Sequence, residues 1–145
     1  MQNSKNNSLV YEQVGDIDAF YTFKIRKAGS EEYTIAAIFK IKKVNRQNIE
    51  SLNATIKKYN QEATGLYLDI SVVDSIAPNV LEFSVDMIGD LGSASSVARV
   101  GICAGRFTTL AFKTLMKIKK PKVLTKVFDK DEPALNFALN VEPKK

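Results

Sequence analysis

The sequence has no histidine and only one cysteine, Cys103, among its 145 residues. The absence of histidine excludes Ser-His-Asp and Cys-His nucleophile systems, a His-ligated zinc ion and any imidazole general base. A single cysteine cannot form an intramolecular disulfide, which is compatible with a reducing compartment. The absence of histidine removes more classes of enzyme than any other feature of the sequence.

Long apolar runs are missing as well. No stretch approaches the roughly 20 apolar residues that span a bilayer, and residues 1–10 lack the apolar core of a signal peptide. We therefore expect a cytoplasmic protein without a membrane span, and the length fits one domain. The predicted organisation is a flexible N-terminal arm over 1–12, a domain over 13–141 and a C-terminal tail over 142–145.

The charge balance is moderately basic, with 21 Lys and Arg against 16 Asp and Glu, a net charge of +5. This balance permits an anionic partner, although a lysine-rich soluble surface is the simpler interpretation. Few of the basic residues are arginines and aromatic residues are not interleaved with them, so no direct nucleic-acid partner is expected. A basic patch comprises Lys113, Lys117, Lys119, Lys120 and Lys122. Solvated lysines are its default interpretation, and acidic protein or lipid headgroups are the alternative.

Strand and helix patterns alternate along the chain in the order β-β-α-β-α-β-α-β-α. Such alternation predicts an α/β fold with a mostly parallel sheet and right-handed crossovers. Strands over 18–25 and 33–41 form an opening hairpin, and the apolar runs at 66–73 and 97–103 are typical of central strands. The prediction is a single domain with a mixed, mostly parallel sheet of about five strands and four helices.

Apolar periodicity assigns faces to the later helices. The second helix begins at Pro78 and carries more apolar residues than one stripe needs. The last helix is predicted to be capped by Asp131. The stripe predicted to face the core on the third helix consists of Phe107, Leu110, Ala111, Leu115 and Ile118.

The junction between the strand at 66–73 and the second helix carries the strongest functional signal. Its sequence over 69–80 is Asp-Ile-Ser-Val-Val-Asp-Ser-Ile-Ala-Pro-Asn-Val. Binding sites in open α/β sheets collect beyond the carboxyl ends of the strands, and helix N-termini there stabilise anions such as phosphate. Ser75 is therefore a candidate phosphoacceptor. The alternative is that Ser75 or Asp74 merely caps the helix.

The order of elements, together with Asp69, the Asp74-Ser75 pair and the run Val-Phe-Asp-Lys-Asp-Glu-Pro-Ala-Leu at 127–135, resembles the STAS domain family. That family includes bacterial anti-sigma-factor antagonists, sulfate-transporter tails and stressosome proteins. Its central strand ends in Leu-Asp-Leu and leads into Asp-Ser-Ser/Thr-Gly. Here the corresponding segments read Leu-Asp-Ile and Asp-Ser-Ile-Ala, so Ile76 replaces the second hydroxyl residue and Ala77 replaces the glycine.

The resemblance implies a fold of the STAS type and regulation of transcription or signalling by partner switching, with no catalysis, cofactor or metal of its own. Ser75 matches the serine that a partner kinase phosphorylates in family antagonists. The implied partners are a serine kinase or anti-sigma-factor-type protein and a PP2C-type phosphatase. An exposed edge strand in the opening hairpin would also be compatible with a homodimer.

The residues implied to contact the partner follow the candidate phosphoacceptor along the chain. They are Asp74, Ile76, Ala77, Asn79, Val80, Phe83 and Met87. For Val80, Phe83 and Met87 the alternative interpretation is that they fill the core.

Two other functions stay open at this point. The first is an accessory or ligand-binding module of a lipid or anion transport system, in which Ile76 and Ala77 mark a site no longer under kinase control. The second is a small enzyme of unrecognised type. The enzyme is the least favoured because the sequence lacks histidine, paired carboxylates and a phosphate-binding loop.

Overall fold

The computed structural model describes residues 8–59, 61–91, 96–121 and 123–140. Its strands are β1 (Leu9–Asp16), β2 (Phe20–Lys27), β3 (Thr34–Phe39), β4 (Lys43–Val44), β5 (Gly65–Ile70), β6 (Ser75–Ile76), β7 (Arg99–Ala104) and β8 (Leu124–Phe128). Its helices are α1 (Arg46–Tyr59), α2 (Pro78–Leu91), α3 (Arg106–Ile118) and α4 (Asp131–Leu139). None of the helices in these ranges has the length and apolar character that crossing a bilayer requires.

A six-stranded sheet in the order β1-β2-β3-β5-β7-β8 forms the centre, and β4 pairs with β6 in a second, two-stranded sheet. The strand β2 is antiparallel to both of its neighbours, β1 and β3, whereas β3, β5, β7 and β8 are parallel to one another. The prediction of a mixed, mostly parallel sheet with four helices is confirmed. The sheet has one more strand than expected.

The additional strand is β1, which lies where a flexible arm over 1–12 was predicted. Leu9 pairs with Lys27 and Glu12 pairs with Lys24, so the arm prediction is wrong from residue 9 onwards. Residues 1–7 and the predicted tail after residue 140 lie outside the described part of the chain.

The two faces of the sheet carry different layers. Leu66 and Leu68 of β5 point into the larger core, which α1, α2 and α3 cover. Tyr67, between them, points to the other face and packs in the smaller cluster beneath α4. This alternation within one strand is the period expected of a strand buried on both sides.

The helix α4 lies unusually close to the sheet because glycines stand beneath it. A Cβ atom at Gly65 would overlap the carbonyl oxygen of Ala138, and one at Gly101 would overlap the carbonyl oxygen of Ala134. Only residues without a side chain fit at these two positions. The backbone of α4 therefore rests directly on β5 and β7.

The start of α4 differs from the prediction by one position. Lys130 occupies the N-cap with extended backbone and no side-chain capping bond, and Asp131 is the first helical residue. Asp131 and Glu132 instead place negative charge in the first turn, where the helix dipole favours it.

The predicted core face of α3 is wrong, because the helix presents that stripe to solvent. Phe107, Leu110, Ala111 and Ile118 are exposed, and of the predicted stripe only Leu115 is half-buried. The buried side chains are Thr109 and Phe112. The Thr109 hydroxyl can enter the core because it donates to the carbonyl oxygen of Ala104 at 3.1 Å.

Candidate functional site

The chain leaves β5 at the carboxyl edge of the sheet through a tight turn. The N–H of Val73 donates to the carbonyl oxygen of Ile70 at 3.0 Å. The next two amides, of Asp74 and Ser75, both donate to the carbonyl oxygen of Lys42, at 2.9 and 3.2 Å. The main chain at the candidate phosphoacceptor is therefore fixed to the segment that precedes α1.

These bonds continue as the parallel pair of β4 and β6. Lys43 is the register partner of Ser75, and Val44 is the partner of Ile76. Ser75 is exposed, whereas Ile76 is half-buried and packs against the larger core. Because register partners in a parallel pair point to the same side, the lysine side chain accompanies the serine on the surface.

Neither Asp74 nor Ser75 caps α2. The carbonyl oxygen of Ala77 accepts the first helical bonds, from the N–H groups of Val80 at 3.0 Å and Leu81 at 2.9 Å. Pro78 is the first helical residue, as predicted. Within the described ranges the Ser75 hydroxyl has no hydrogen-bond partner, so the capping alternative is not supported.

Among the implied partner contacts, the structure separates surface from core. Asp74, Ala77 and Asn79 are exposed around the start of α2. Val80 is 7% exposed and Met87 is 5% exposed, and both belong to the larger core. Val80 and Met87 therefore fill the core, and in this conformation they offer almost no surface to a partner.

Phe83 is the one apolar candidate on α2 that stays accessible. It is half-buried against the core, and the guanidinium carbon of Arg46 lies 4.3 Å from its ring centroid. The Nε atom of Arg46 also lies 3.4 Å from Oε2 of Glu50, one turn further along α1, and forms an ion pair with it. The accessible part of α2 thus offers one aromatic ring with a cation stacked on it.

Asp69 organises the end of β5. Its carboxylate accepts the N–H of Ser71 at 3.0 Å, the Ser71 hydroxyl at 2.6 Å and the Tyr67 hydroxyl at 3.3 Å. Burial and then the Asp69 carboxylate raise the pKa of Tyr67 above its ordinary range. We did not predict this network, although an aspartate two residues before a serine is the spacing of such a turn.

Cys103 lies on the neighbouring strand β7. It is buried, and burial followed by the carboxylates of Asp69, Asp131 and Asp129 raises its pKa to about 12. A thiol in that state is protonated at physiological pH and unreactive, as expected of a core cysteine. The described residues contain no cluster of acidic or sulfur side chains that could hold a metal ion.

Comparison with solved structures places this arrangement among known folds. The chain is similar to the crystal structure of an uncharacterized protein of the DUF3478 family from Shewanella loihica PV-4, described as having a SpoIIAA-like fold. The TM-score is 0.55, and the match covers 86% of this chain and 98% of the other. The fold is SpoIIAA-like.

This finding confirms the STAS-type fold that the sequence resemblance implied. At 14% sequence identity, the likeness concerns the SpoIIAA-like fold alone. No protein-family model and no curated protein matches the sequence. The assignment of residues at the edge of the sheet therefore depends on the geometry of this chain.

Proposed function

We propose that this chain is a cytoplasmic, regulatory protein-binding domain that switches partners when Ser75 is phosphorylated, and that it has no catalytic activity of its own. The observation that supports this most directly is the position of Ser75. Its hydroxyl is exposed at the carboxyl edge of a SpoIIAA-like sheet, while its N–H is bonded to Lys42. A kinase can reach such a hydroxyl without unfolding the domain.

The physical effect of the modification is a change of charge on a fixed surface. A phosphate adds about −1.5 to −2 charges beside Asp74. Lys43, the register partner of Ser75, can balance only part of that charge. Burying the remainder unpaired in an interface would cost several kcal/mol, which is roughly a hundredfold or more in affinity. Since the backbone of β6 is bonded to β4, we expect the fold to remain intact while the partner is lost.

The partner proposed is a serine kinase or anti-sigma-factor-type protein that covers the start of α2. Its contacts would include the exposed Asn79 and the ring of Phe83. A PP2C-type phosphatase would restore the binding form. The interaction would be protein with protein, with no nucleic acid involved.

Mass spectrometry of the protein from its native cells, unstressed and stressed, tests the modification. Trypsin leaves a long peptide over 59–99, so digestion before aspartate is preferable because it separates Ser71 from Ser75. The fragment over 74–85 should carry the phosphate, with occupancy that changes on stress. Ser84 shares this fragment, but it is buried and bonded to the carbonyl oxygen of Val80, so fragment ions should exclude it.

Binding of matched variants tests the switch itself. Ser75→Ala should retain binding to the kinase, and Ser75→Asp should lose most of it. Ser30→Asp is the control, because it adds the same charge in the turn between β2 and β3, at the opposite end of the sheet. Equal binding by Ser75→Ala and Ser75→Asp would contradict the proposal.

A second candidate function is an accessory or ligand-binding module of a lipid or anion transport system. The observation that favours it is the replacement at 76–77, where Ile76 contributes to the core instead of offering a hydroxyl. This function would replace the proposed switch if Ser75 were unmodified under every condition and if Ser75→Ala and Ser75→Asp bound the kinase equally well.

A further inference from the structure

The solvent-facing side of α3 carries large apolar side chains from its first turn to its last, with the exposed Thr114 among them. Phe107 is 87% exposed, Leu110 is 65% exposed and Ile118 is 76% exposed. The three side chains lie on one face of the helix, and the distance from the first to the last is about 16 Å along the axis. Single exposed apolar residues are common on protein surfaces, but an aligned set of this length indicates a binding surface.

This stripe is not the unfilled part of the core. The opposite side of α3 already packs inward through Phe112 and Thr109. Leu115 and Met116 add half-buried contacts on that inward side. The helix therefore has two apolar faces, and only one of them is used in folding.

A row of positive charge runs beside the stripe. Arg106, Lys113 and Lys117 are exposed and fall at i, i+7 and i+11, which aligns them along one flank of the helix. No aspartate or glutamate occurs within 92–128. The carboxylates of Glu82 and Asp86 on α2 pair with Lys119, at 3.3 and 3.0 Å. Among the described residues, none of the ion pairs involves Arg106, Lys113 or Lys117.

We infer that α3 binds the surface of a bilayer containing anionic lipids. An amphipathic helix with large apolar side chains on its outer face and cations beside them is suited to the boundary between headgroups and acyl chains. The helix would lie parallel to the surface, with Phe107, Leu110 and Ile118 inserted and the row of Arg106, Lys113 and Lys117 against the phosphates. Phe107, Leu110 and Ile118 are called the α3 stripe, and Arg106, Lys113 and Lys117 are called the α3 basic row.

Two features favour a lipid surface over a protein partner. The α3 stripe lies on the outer face of a helix, which a deformable lipid surface can accommodate without a matching groove. The adjoining charge is of one sign and lies on flexible lysines, which is the pattern that anionic headgroups attract. The inference goes beyond partner switching and does not depend on whether Ser75 is modified.

Sedimentation with lipid vesicles tests the inference. The purified chain should bind vesicles of equal parts phosphatidylcholine and phosphatidylglycerol about tenfold or more tightly than phosphatidylcholine alone, and added salt should weaken the binding. Lys113→Ser with Lys117→Ser should reduce the affinity by about fivefold per lysine. Lys57→Ser with Lys58→Ser, an exposed pair at the end of α1, should leave the affinity unchanged.

A second pair of variants tests how much the apolar side chains contribute to vesicle binding. Phe107→Ser with Ile118→Ser should lower vesicle affinity by about tenfold or more. Its control is Tyr11→Ser, which removes an exposed aromatic ring from β1. Circular dichroism and the midpoint of thermal unfolding should show that both variants keep the fold.

Fluorescence gives a direct readout because the chain contains no tryptophan. With Phe107→Trp, the emission should shift to shorter wavelength on adding the anionic vesicles, as the indole leaves water. With Tyr11→Trp, the emission should not change. Ser75→Asp should bind the vesicles as well as the unmodified chain, which separates this test from that of the proposed switch.

The inference would be overturned if the chain bound anionic and neutral vesicles equally weakly. It would also be overturned if Phe107→Ser with Ile118→Ser bound as well as the unmodified chain. A dimer by analytical ultracentrifugation that this double variant converts to a monomer, without any vesicle binding, would assign the stripe to a second copy of the chain.

Discussion

The N–H of Ser75 donates a hydrogen bond to the carbonyl oxygen of Lys42, 3.2 Å away, across two segments that are far apart in the sequence. This bond sets the register in which Lys43 lies opposite Ser75. A candidate phosphoacceptor is thus held beside a lysine, while the adjacent Asp74 supplies the opposite charge. The charge on a modified serine would be felt by both neighbours.

The neighbouring lysine should lower the second pKa of a phosphate on Ser75, which is ordinarily about 6. With phosphoserine incorporated at position 75, Lys43→Ala should raise that pKa by about half a pH unit, the effect of one charge about 6 Å away in water. Titration followed by phosphorus NMR measures the midpoint. Lys57→Ala, at the far end of α1, is the control, and a midpoint unchanged by Lys43→Ala would show that the two side chains do not interact.

The close packing of α4 on the sheet predicts a large cost for a single methyl group. Gly101→Ala would place its Cβ against the carbonyl oxygen of Ala134, so unfolding free energy should fall by about 1–3 kcal/mol, as expected of overpacking. Gly105→Ala, four residues along, has open space around its Cβ and should change stability by less than about 1 kcal/mol. Urea unfolding distinguishes the two, and equal stabilities would mean that α4 does not rest on β7.

The sequence predicts the central strands well and the edge of the sheet poorly. The strands β5 and β7 are buried on both faces, so each appears as a continuous apolar run. The edge strand β1 is exposed along most of its length, so its residues alternate weakly and resemble a loop. The strand β1 forms by pairing with β2, and the periodicity within β1 alone does not indicate that pairing.

The candidate site was located from the sequence, but its local structure was not. The order of elements places Ser75 at the carboxyl edge of the sheet, and the fold confirms that placement. The pairing of β4 with β6 joins residues about 30 positions apart, with only two residues in each strand. A pair of such short strands, far apart in the sequence, leaves no periodic signal. From the sequence alone, the alternative role for Asp74 and Ser75 was therefore helix capping.

The orientation of α3 can be tested with two phenylalanines of the same helix. Phe112→Ala should lower the unfolding free energy by about 3–5 kcal/mol because Phe112 is buried. Phe107→Ala should change it by less than about 0.5 kcal/mol because that ring is exposed. Chemical denaturation measures both, and Phe112→Leu provides a milder variant should the alanine variant fail to fold.

The two alanine variants show directly which side of α3 faces the core, the point on which the structure and the sequence prediction differ. Periodicity assigned Phe107 to the core, because apolar residues occur on both sides of α3 and the stripe through Leu110 is the more regular one. A greater loss for Phe107→Ala than for Phe112→Ala would restore that prediction. It would also remove the basis for a lipid-binding face.

The stability of the domain should decline at alkaline pH, with a contribution from Cys103. Burial, and then the carboxylates of Asp69, Asp131 and Asp129, raise its pKa from the ordinary 9.0 to about 12. Between these values the unfolded chain releases the thiol proton and the folded chain keeps it. The unfolded state then binds fewer protons, so the free energy of unfolding falls as pH rises from about 9 toward 12.

Comparison with Cys103→Ala isolates this contribution, since other groups titrate alike in both chains. The unmodified chain should be the more stable at pH 8, where the buried sulfur still fills its place in the core. Its advantage should shrink above pH 9 by up to about 1.4 kcal/mol per pH unit, the effect of one proton. Urea unfolding at several pH values measures the difference. An advantage that stays constant to pH 11 would mean that the Cys103 thiol ionises as readily in the folded chain as in the unfolded one, and that neither burial nor the three carboxylates govern its chemistry.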